Sequence, residues 1–172
     1  MASLKTCRSG DADRRTSARS HPSRMASLKT YIVEDSPVIR DSLIATLEEL
    51  VSIQVVGTAE DEAGALQWLL QPAHEVDLVI IDIFLKAGSG LGVLRAASAM
   101  PKAAKLVVLS NYATLDMRRK CLALGADRVF DKSHDIDALV DYCTALSQGT
   151  GLEDDRADPP TGVDGADGAL PR

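Results

Sequence analysis

Five side chains spread along the chain could together bind a metal ion and a phosphate: Glu34, Asp35, Asp82, Ser110 and Lys132. Each lies at or just after the end of a short apolar run. If the fold brings carboxylates within about 4 Å, each pair repels by about 4 kcal/mol at an effective dielectric constant near 20, so the cluster needs a cation. Oxygen ligands suit Mg²⁺, and the hydroxyl and ammonium groups suit phosphate oxygens. Taken singly, each residue has a plainer explanation as a helix cap, a turn residue or a solvated charge.

The segments between these residues explain how the side chains could meet. Short runs rich in Leu and β-branched residues alternate five times with stretches of helical periodicity, which is typical of βα units around a parallel sheet. The strand candidates are residues 30–33, 54–58, 78–81, 106–109 and 128–130. Five such units favour an α/β fold with a doubly wound, five-stranded parallel sheet, in which ligands bind beyond the carboxyl ends of the strands. All five polar residues lie at such ends, so we predict that they converge on one pocket.

The helical stretches carry apolar residues at helical spacing, which predicts faces packed against the sheet. In the first helix these residues are Val38, Ile39, Leu43, Leu47 and Leu50, and in the fourth they are Leu115, Cys121, Leu122 and Leu124. Gly125 stands where a residue with positive φ would end the fourth helix.

Composition limits the class of protein. Apolar residues make up 45% of the chain, enough for one core, and no apolar run approaches the roughly 20 residues that a membrane helix needs. The three cysteines fit neither a disulfide framework nor a zinc pattern. We therefore expect a cytoplasmic protein that does not bind membranes.

The charge distribution divides the chain into three parts. Residues 1–24 contain six Lys or Arg and two Asp, residues 25–148 contain eleven basic and seventeen acidic residues, and residues 149–172 contain two Arg and six acidic residues. The acidic centre argues against direct binding to nucleic acid. We expect a disordered basic N-terminal extension over 1–27, a folded domain over 28–147, and a disordered acidic tail rich in Gly, Asp and Pro over 148–172.

Four segments carry a resemblance to a known family: YIVEDSPVIR, VDLVIIDIFLKAGSGLGVL, LVVLSNYA and LGADRVFDKS. They are similar to the receiver domain of two-component response regulators, and the resemblance covers essentially the whole predicted domain. It implies a CheY-like, flavodoxin-like sheet with strand order 2-1-3-4-5. It also implies a phosphorelay switch that is not an enzyme beyond its own phosphorylation and dephosphorylation. Because the composition of the acidic tail does not fit a second folded domain, we expect this switch to stand alone.

The resemblance implies partners as well. The phosphoryl donor would be a sensor histidine kinase or a histidine phosphotransfer protein, and the output would pass to an unknown downstream protein. A homodimer would form through helix 4, strand 5 and helix 5.

The resemblance also implies a role for each acidic residue. Asp82 would accept the phosphoryl group and become an aspartyl phosphate. Mg²⁺ would be held by Asp35 and Asp82, with help from Glu34 and the backbone carbonyl of Phe84.

Three further residues would respond to phosphorylation. Ser110 would bond a phosphoryl oxygen, and Lys132 would pair with the phosphoryl group. Ser110 and Phe130 would act as the switch, with the Phe130 ring moving inward as Ser110 shifts.

Four positions depart from the commonest family pattern. Lys86 and Ser133 stand where the family frequently has Pro, Ser89 replaces a frequent Asp, and Asn111 replaces a small residue. The bond after the family lysine is often cis, and a cis bond before a residue other than proline costs about 2.5 to 4 kcal/mol. Either the Lys132–Ser133 bond carries that cost or the loop differs. Asn111, as the bulkier residue, would narrow access to the acceptor and affect the phosphoryl lifetime.

Rival functions differ in what they require of the same residues. A pseudo-receiver would bind a partner without phosphorylation, and the intact set of five polar residues argues against it. A hydrolase that uses Asp82 as nucleophile would need a second acid as general acid-base, and Phe84 occupies the nearby position. A flavin carrier would need a Ser/Thr/Gly phosphate loop after the first strand, where none occurs.

Overall fold

The computed structural model describes residues 27–100 and 104–149 of the 172-residue chain, and strands alternate with helices throughout. The strands are β1 (Leu28–Val33), β2 (Ile53–Ala59), β3 (Leu78–Ile81), β4 (Lys105–Ser110) and β5 (Arg128–Asp131). The helices are α1 (Pro37–Leu50), α2 (Glu62–Leu69), α3 (Gly90–Ser98), α4 (Leu115–Ala123) and α5 (Ile136–Ser147). The predicted disordered segments, 1–27 and 148–172, fall almost wholly outside the described residues, so their disorder stays a prediction.

The five strands form one parallel sheet in the order β2-β1-β3-β4-β5. Strand β3 lies at its centre, and all four of its residues are buried, as expected for a strand covered on both faces. The register pairs Val33 with Ile81 and Ile81 with Val108, so the carboxyl ends of β1, β3 and β4 share one edge. The predicted α/β class and strand order are confirmed.

Helices cover both faces of the sheet and bury two separate apolar clusters. One cluster lies on the side of α2, α3 and α4 and contains Val79 and Ile81 of β3. The other lies on the side of α1 and α5 and contains Leu78 and Ile80. Because successive side chains of a strand point to opposite faces, β3 contributes equally to both clusters.

An aromatic stack fixes α2 against the edge of the sheet. The Trp68 ring stacks on Tyr31 of β1 with centroids 4.0 Å apart and on His74 with centroids 4.1 Å apart. Gly57 of β2 leaves room for the stack, because an added Cβ would lie 3.0 Å from atoms of both Trp68 and Tyr31. Tyr31 is fully buried, and this burial raises its pKa to about 12.

The predicted inner face of α1 is correct only in its centre. Leu43 and Leu47 are buried against the sheet, whereas Val38, Ile39 and Leu50 are exposed. Val38 belongs to the first turn, which extends beyond the end of β1, so the sheet does not cover it.

The predicted inner face of α4 is wrong in part. Cys121 is buried, and Met117 and Leu124 pack beside it on the same cluster. Leu115 and Leu122 are 74% and 50% exposed. At 100° per residue these two leucines lie nearly opposite the buried stripe, so α4 carries two apolar stripes and buries only one.

Gly125 ends α4 as predicted. Its φ is 103°, and its amide donates to the Leu122 carbonyl at 3.0 Å. An added Cβ would lie 2.6 Å from the Ser98 side chain, so both the backbone angle and the space favour glycine.

Candidate metal and phosphate site

Lys132 joins two carboxylates that follow neighbouring strands. Its Nζ donates to Glu34 Oε2 at 2.5 Å and to Asp82 Oδ2 at 2.7 Å. The side chains of Lys132, Glu34 and Asp82 are only 7%, 3% and 8% exposed. Charges this buried are costly unless they are paired, so the three side chains act as one charge cluster.

The sheet itself sets the positions of these groups. The Asp82 amide donates to the Val33 carbonyl at 2.9 Å, and the Lys132 amide donates to the Ser110 carbonyl at 3.1 Å. The hydrogen-bond ladder therefore continues for one residue beyond β3 and β5. Side chains fixed by a sheet ladder are held more rigidly than those on free loops, which suits a site that depends on short distances.

Asp35 completes an acidic cluster with Glu34 and Asp82. One carboxylate oxygen of each residue lies within 4.8 Å of the other two. Lys132 supplies one buried positive charge, whereas the exposed Lys86 approaches Asp35 Oδ2 only to 3.9 Å. Three carboxylates against one buried ammonium leave two negative charges, and every donor is an oxygen. The residues present therefore fit a hard divalent cation such as Mg²⁺.

The second oxygen of Asp82 is held by the chain that follows β3. The Phe84 amide donates to Asp82 Oδ1 at 3.1 Å. Gly90, at the start of α3, packs against the Asp82 carbonyl so closely that an added Cβ would lie 1.9 Å from it. Asp82 is thus held at both its side chain and its backbone. The Phe84 carbonyl, predicted as a metal ligand, belongs to the same turn, and its role as a ligand stays a prediction.

Ser110 lies at the end of β4 and is fully buried. Its Oγ accepts a hydrogen bond from the Tyr112 amide at 3.2 Å, so its own proton can be donated to another oxygen. The exposed Tyr112 ring meets the Phe84 ring edge-on, with centroids 5.4 Å apart. Sequence reasoning did not single out Tyr112, whose ring contacts Phe84 because the loops after β3 and β4 approach each other.

A cleft of about 360 Å³ opens beside the acidic cluster. Asp35, Phe84, Lys86 and Met117 are among the residues that line it. Of the acidic cluster, only Asp35 is among the lining residues.

Phe130 lies on the opposite face of the sheet from Ser110. Its ring is buried in the α1 and α5 cluster, with its centroid 6.0 Å from that of Tyr142. The register pairs Ser110 with Asp131, and alternation along β5 places Val129 on the side of α4. An inward movement of Phe130 next to Ser110 is therefore not supported by this placement, because the sheet separates the two side chains.

Arg118 connects α4 to β5 and to the start of α5 by hydrogen bonds, a role that sequence reasoning missed. Its guanidinium donates to the carbonyls of Ala113 and Val129 and to Asp135 Oδ2, the last at 2.8 Å. Asp135 Oδ2 also accepts from the Asp131 amide at 2.9 Å, and these two bonds lower the pKa of Asp135. Arg118 thereby links α4 to β5 and to the start of α5.

The loop after Lys132 differs from the common family form with a cis bond, which was one of the two alternatives that the sequence left open. No peptide bond within residues 27–100 or 104–149 is cis, so the Lys132–Ser133 bond is trans. The Ser133 amide donates to Asp131 Oδ1 at 2.8 Å, and this bond lowers the pKa of Asp131. Asn111 is exposed, and its effect on access to Asp82 stays a prediction.

Within the described residues, no helix is both long and apolar enough to cross a membrane.

Comparison with known proteins gives one consistent result. The family model described as the response regulator receiver domain matches residues 30–144. The transcriptional regulatory protein MalR of Bacillus subtilis is 29% identical over 119 residues, which are 67% of this chain and 50% of that protein. A probable transcriptional regulatory protein of Picosynechococcus is 33% identical over 123 residues, 69% of this chain and 48% of that protein. The chain thus spans about half the length of these relatives.

Solved structures agree in fold. The signal receiver domain of the putative response regulator NarL from Mycobacterium tuberculosis matches with a TM-score of 0.63 at 22% identity, covering 72% of this chain and 98% of that one. A CheY-like receiver domain protein from Methanospirillum hungatei matches with a TM-score of 0.61 at 24% identity, covering 72% and 96%. At these identities the structural matches establish the fold alone.

Proposed function

Because the chain belongs to the response regulator receiver domain family, we propose that it is a phosphorelay switch in which Asp82 accepts a phosphoryl group from a histidine kinase or a histidine phosphotransfer protein. Receiver domains generally act as phosphoacceptor switches, and those relatives that are methylesterases carry further sequence outside the aligned part.

The observation that carries this proposal is the buried contact of Lys132 Nζ with both Glu34 and Asp82. The contact holds the acceptor carboxylate in one orientation beside two further acids. Phosphoryl transfer depends chiefly on placement and on electrostatic stabilisation of the transferring oxygens, and this arrangement supplies both.

The transfer would take place at an oxygen of Asp82. That oxygen attacks phosphorus and forms a new O–P bond while the P–N bond of the donor phosphohistidine breaks. The electron pair of the broken bond stays on the imidazole nitrogen, and the product is an acyl phosphate on Asp82. When bound by Glu34, Asp35 and Asp82, Mg²⁺ would neutralise charge on the phosphoryl oxygens.

Two residues are placed to respond to the new phosphoryl group. Lys132, already 2.7 Å from Asp82, would pair with a phosphoryl oxygen. Ser110 can donate its hydroxyl proton to another such oxygen. Its movement would pull on the Tyr112 amide and so on the loop that leads into α4.

The output surface that we propose consists of α4, β5 and α5. The exposed Leu115 and Leu122 of α4 give it apolar area, and Arg118 joins its elements, so a shift at the start of α4 would be passed to β5 and α5. A downstream protein or a second copy of the chain would contact this surface.

The test is labelling of the full chain with acetyl phosphate or phosphoramidate in the presence of Mg²⁺, read by intact mass. We expect a phosphorylated species for the wild type, none for Asp82→Asn and none when EDTA replaces Mg²⁺. Asp141→Asn, which removes an exposed carboxylate of α5, is the matched control and should label like the wild type.

Two results would contradict the proposal. Labelling of Asp82→Asn at the wild-type level would overturn the assignment of the acceptor. Absence of labelling in every variant would favour a pseudo-receiver that binds its partner without phosphorylation.

A further inference from the structure

Glu62, the first residue of α2, bonds to the loop between β3 and α3 through both its main chain and its side chain. Its amide donates to the Ala87 carbonyl at 3.2 Å, and its Oε2 accepts from the Ser89 amide at 2.8 Å. Two bonds from one residue thus hold the far half of the loop, which runs over residues 82–89.

Two glycines shape the space around this side chain. Gly88 has a φ of 80°, and an added Cβ would lie 2.4 Å from the Glu62 Cβ. An added Cβ at Gly92 of α3 would lie 1.9 Å from Glu62 Oε1. The loop and the first turn of α3 therefore close tightly on the Glu62 carboxylate, and any larger residue at either glycine would displace it.

The charge of Glu62 matches its surroundings. Ser89 is the N-cap of α3, and its Oγ accepts from the Leu91 amide at 3.2 Å. The Glu62 carboxylate accepts from the Ser89 amide at the same helix end, where the aligned peptide dipoles favour a negative charge. An aspartate at position 89 would place a second carboxylate at the same helix end as Glu62. Serine caps the helix without that repulsion, so residues 62 and 89 complement each other.

The anchored loop carries the groups that orient the acceptor. It begins at Asp82 and includes Phe84, whose amide binds Asp82 Oδ1 and whose carbonyl is the proposed metal ligand. Only two residues separate Phe84 from Ala87, so a release of the loop at Ala87 and Ser89 would also free the amide and carbonyl of Phe84. We infer that Glu62 is a positioning residue that sets the Mg²⁺ affinity of the acidic cluster by anchoring this loop. The inference rests on the proposed metal site, and hence on the proposed function.

The first test is titration of Mg²⁺ into the metal-free full chain by isothermal calorimetry. Residues that orient metal ligands change affinity by about 10–100-fold when mutated, so we expect Glu62→Ala to raise the Kd for Mg²⁺ about tenfold. Glu62→Gln keeps an oxygen that can accept from Ser89 but loses the charge, and should fall between Glu62→Ala and the wild type. Glu49→Gln, an exposed glutamate of α1, is the control for loss of one negative charge and should bind like the wild type.

A second variant, Gly92→Ala, disturbs the contact of Glu62 with Ser89 by a change in α3. Gly92→Ala suits a helix, but its Cβ would push the Glu62 carboxylate away from Ser89. We expect it to weaken Mg²⁺ binding in the wild-type background and to have no further effect when combined with Glu62→Ala. Such non-additivity identifies a shared contact, which a general loss of stability would not produce. The acetyl phosphate labelling rate of Glu62→Ala should return toward the wild-type rate at saturating Mg²⁺.

Outcomes of these tests separate the inference from the proposed function. Wild-type Mg²⁺ affinity in folded Glu62→Ala or in Gly92→Ala would overturn the role of Glu62. If Glu62→Ala does not fold by circular dichroism, Gly92→Ala decides alone. If the wild-type chain binds Mg²⁺ but is not labelled, the proposed function is contradicted. The Mg²⁺ titrations then decide the role of Glu62 by themselves. Failure of the wild type to bind Mg²⁺ would overturn both.

Discussion

Lys132→Met tests whether the buried charges depend on one another. Methionine keeps the length and apolar body of the side chain, so the change is mainly the loss of the ammonium group between Glu34 and Asp82. Glu34 and Asp82, with oxygens within 4.8 Å of each other, repel by roughly 3.5 kcal/mol at an effective dielectric constant of about 20, and this repulsion is present in the wild type as well. In the wild type it is offset by the attraction of the ammonium group, 2.5 and 2.7 Å from the two carboxylates, and the variant loses that attraction. Removing one partner of a buried ion pair costs about 3–5 kcal/mol, which is the loss that we expect.

The expected result is a metal-dependent loss of stability. In EDTA, the free energy of unfolding of Lys132→Met should be about 3–4 kcal/mol below that of the wild type. The wild type also gains about 2.7 kcal/mol from Mg²⁺ at 100 times its Kd. Because the variant's acidic cluster has one more net negative charge, it should bind the cation more tightly and gain more, so its loss relative to the wild type should shrink in Mg²⁺. Urea unfolding followed by far-ultraviolet circular dichroism, with EDTA or with Mg²⁺, measures both values.

A double variant supplies the control for this experiment. Adding Asp82→Asn to Lys132→Met removes one of the two facing charges, so it should recover stability in EDTA and abolish the response to Mg²⁺. The reasoning is refuted if Lys132→Met loses less than about 1 kcal/mol in EDTA, or if its loss is the same with and without Mg²⁺.

Two further predictions concern the backbone of Asp82 and the hydrogen bonds of Arg118. Gly90→Ala should destabilise the fold and slow acetyl phosphate labelling, because its Cβ would lie 1.9 Å from the Asp82 carbonyl; unchanged labelling would contradict the close contact. Arg118→Met should cost only about 1 kcal/mol at pH 7, since Arg118 and Asp135 are 35% and 31% exposed. The pKa of Asp135 is lowered from 3.8, so its stabilisation is present above that pH and is lost as the pH falls through the lowered pKa. Thermal unfolding curves of the variant and the wild type should therefore differ at pH 7 and approach each other in acid.

The fold could be predicted because its signals are local. Each strand is a short apolar run, each helix has a 3.6-residue period, and a parallel sheet places the carboxyl ends of its strands at one edge. Polar residues that follow those strands, such as Glu34 and Asp82, were therefore expected to meet, and the structure places them on one lysine.

What could not be predicted depends on register and on loop packing. The sequence of β5 does not say which of Val129 and Phe130 faces α4, because that follows from the pairing of Ser110 with Asp131. Helix α4 has two apolar stripes, and only the position of the sheet decides which one is buried. The contact of Glu62 with Ser89 joins the first residue of α2 to the N-cap of α3, two positions with no shared periodicity, so no pattern in the sequence could reveal it.

Trp68 gives the protein a built-in optical reporter. It is the chain's single tryptophan, and its indole lies between the rings of Tyr31 and His74, where α2 meets the edge of the sheet. Selective excitation of this ring therefore follows one side of the molecule, and its emission reports on the packing of α2 against the sheet. The side formed by α1 and α5 has no such fluorophore among its buried residues and requires an introduced label. A pair of signals from the two sides would show whether the layers on the sheet open together or one after the other.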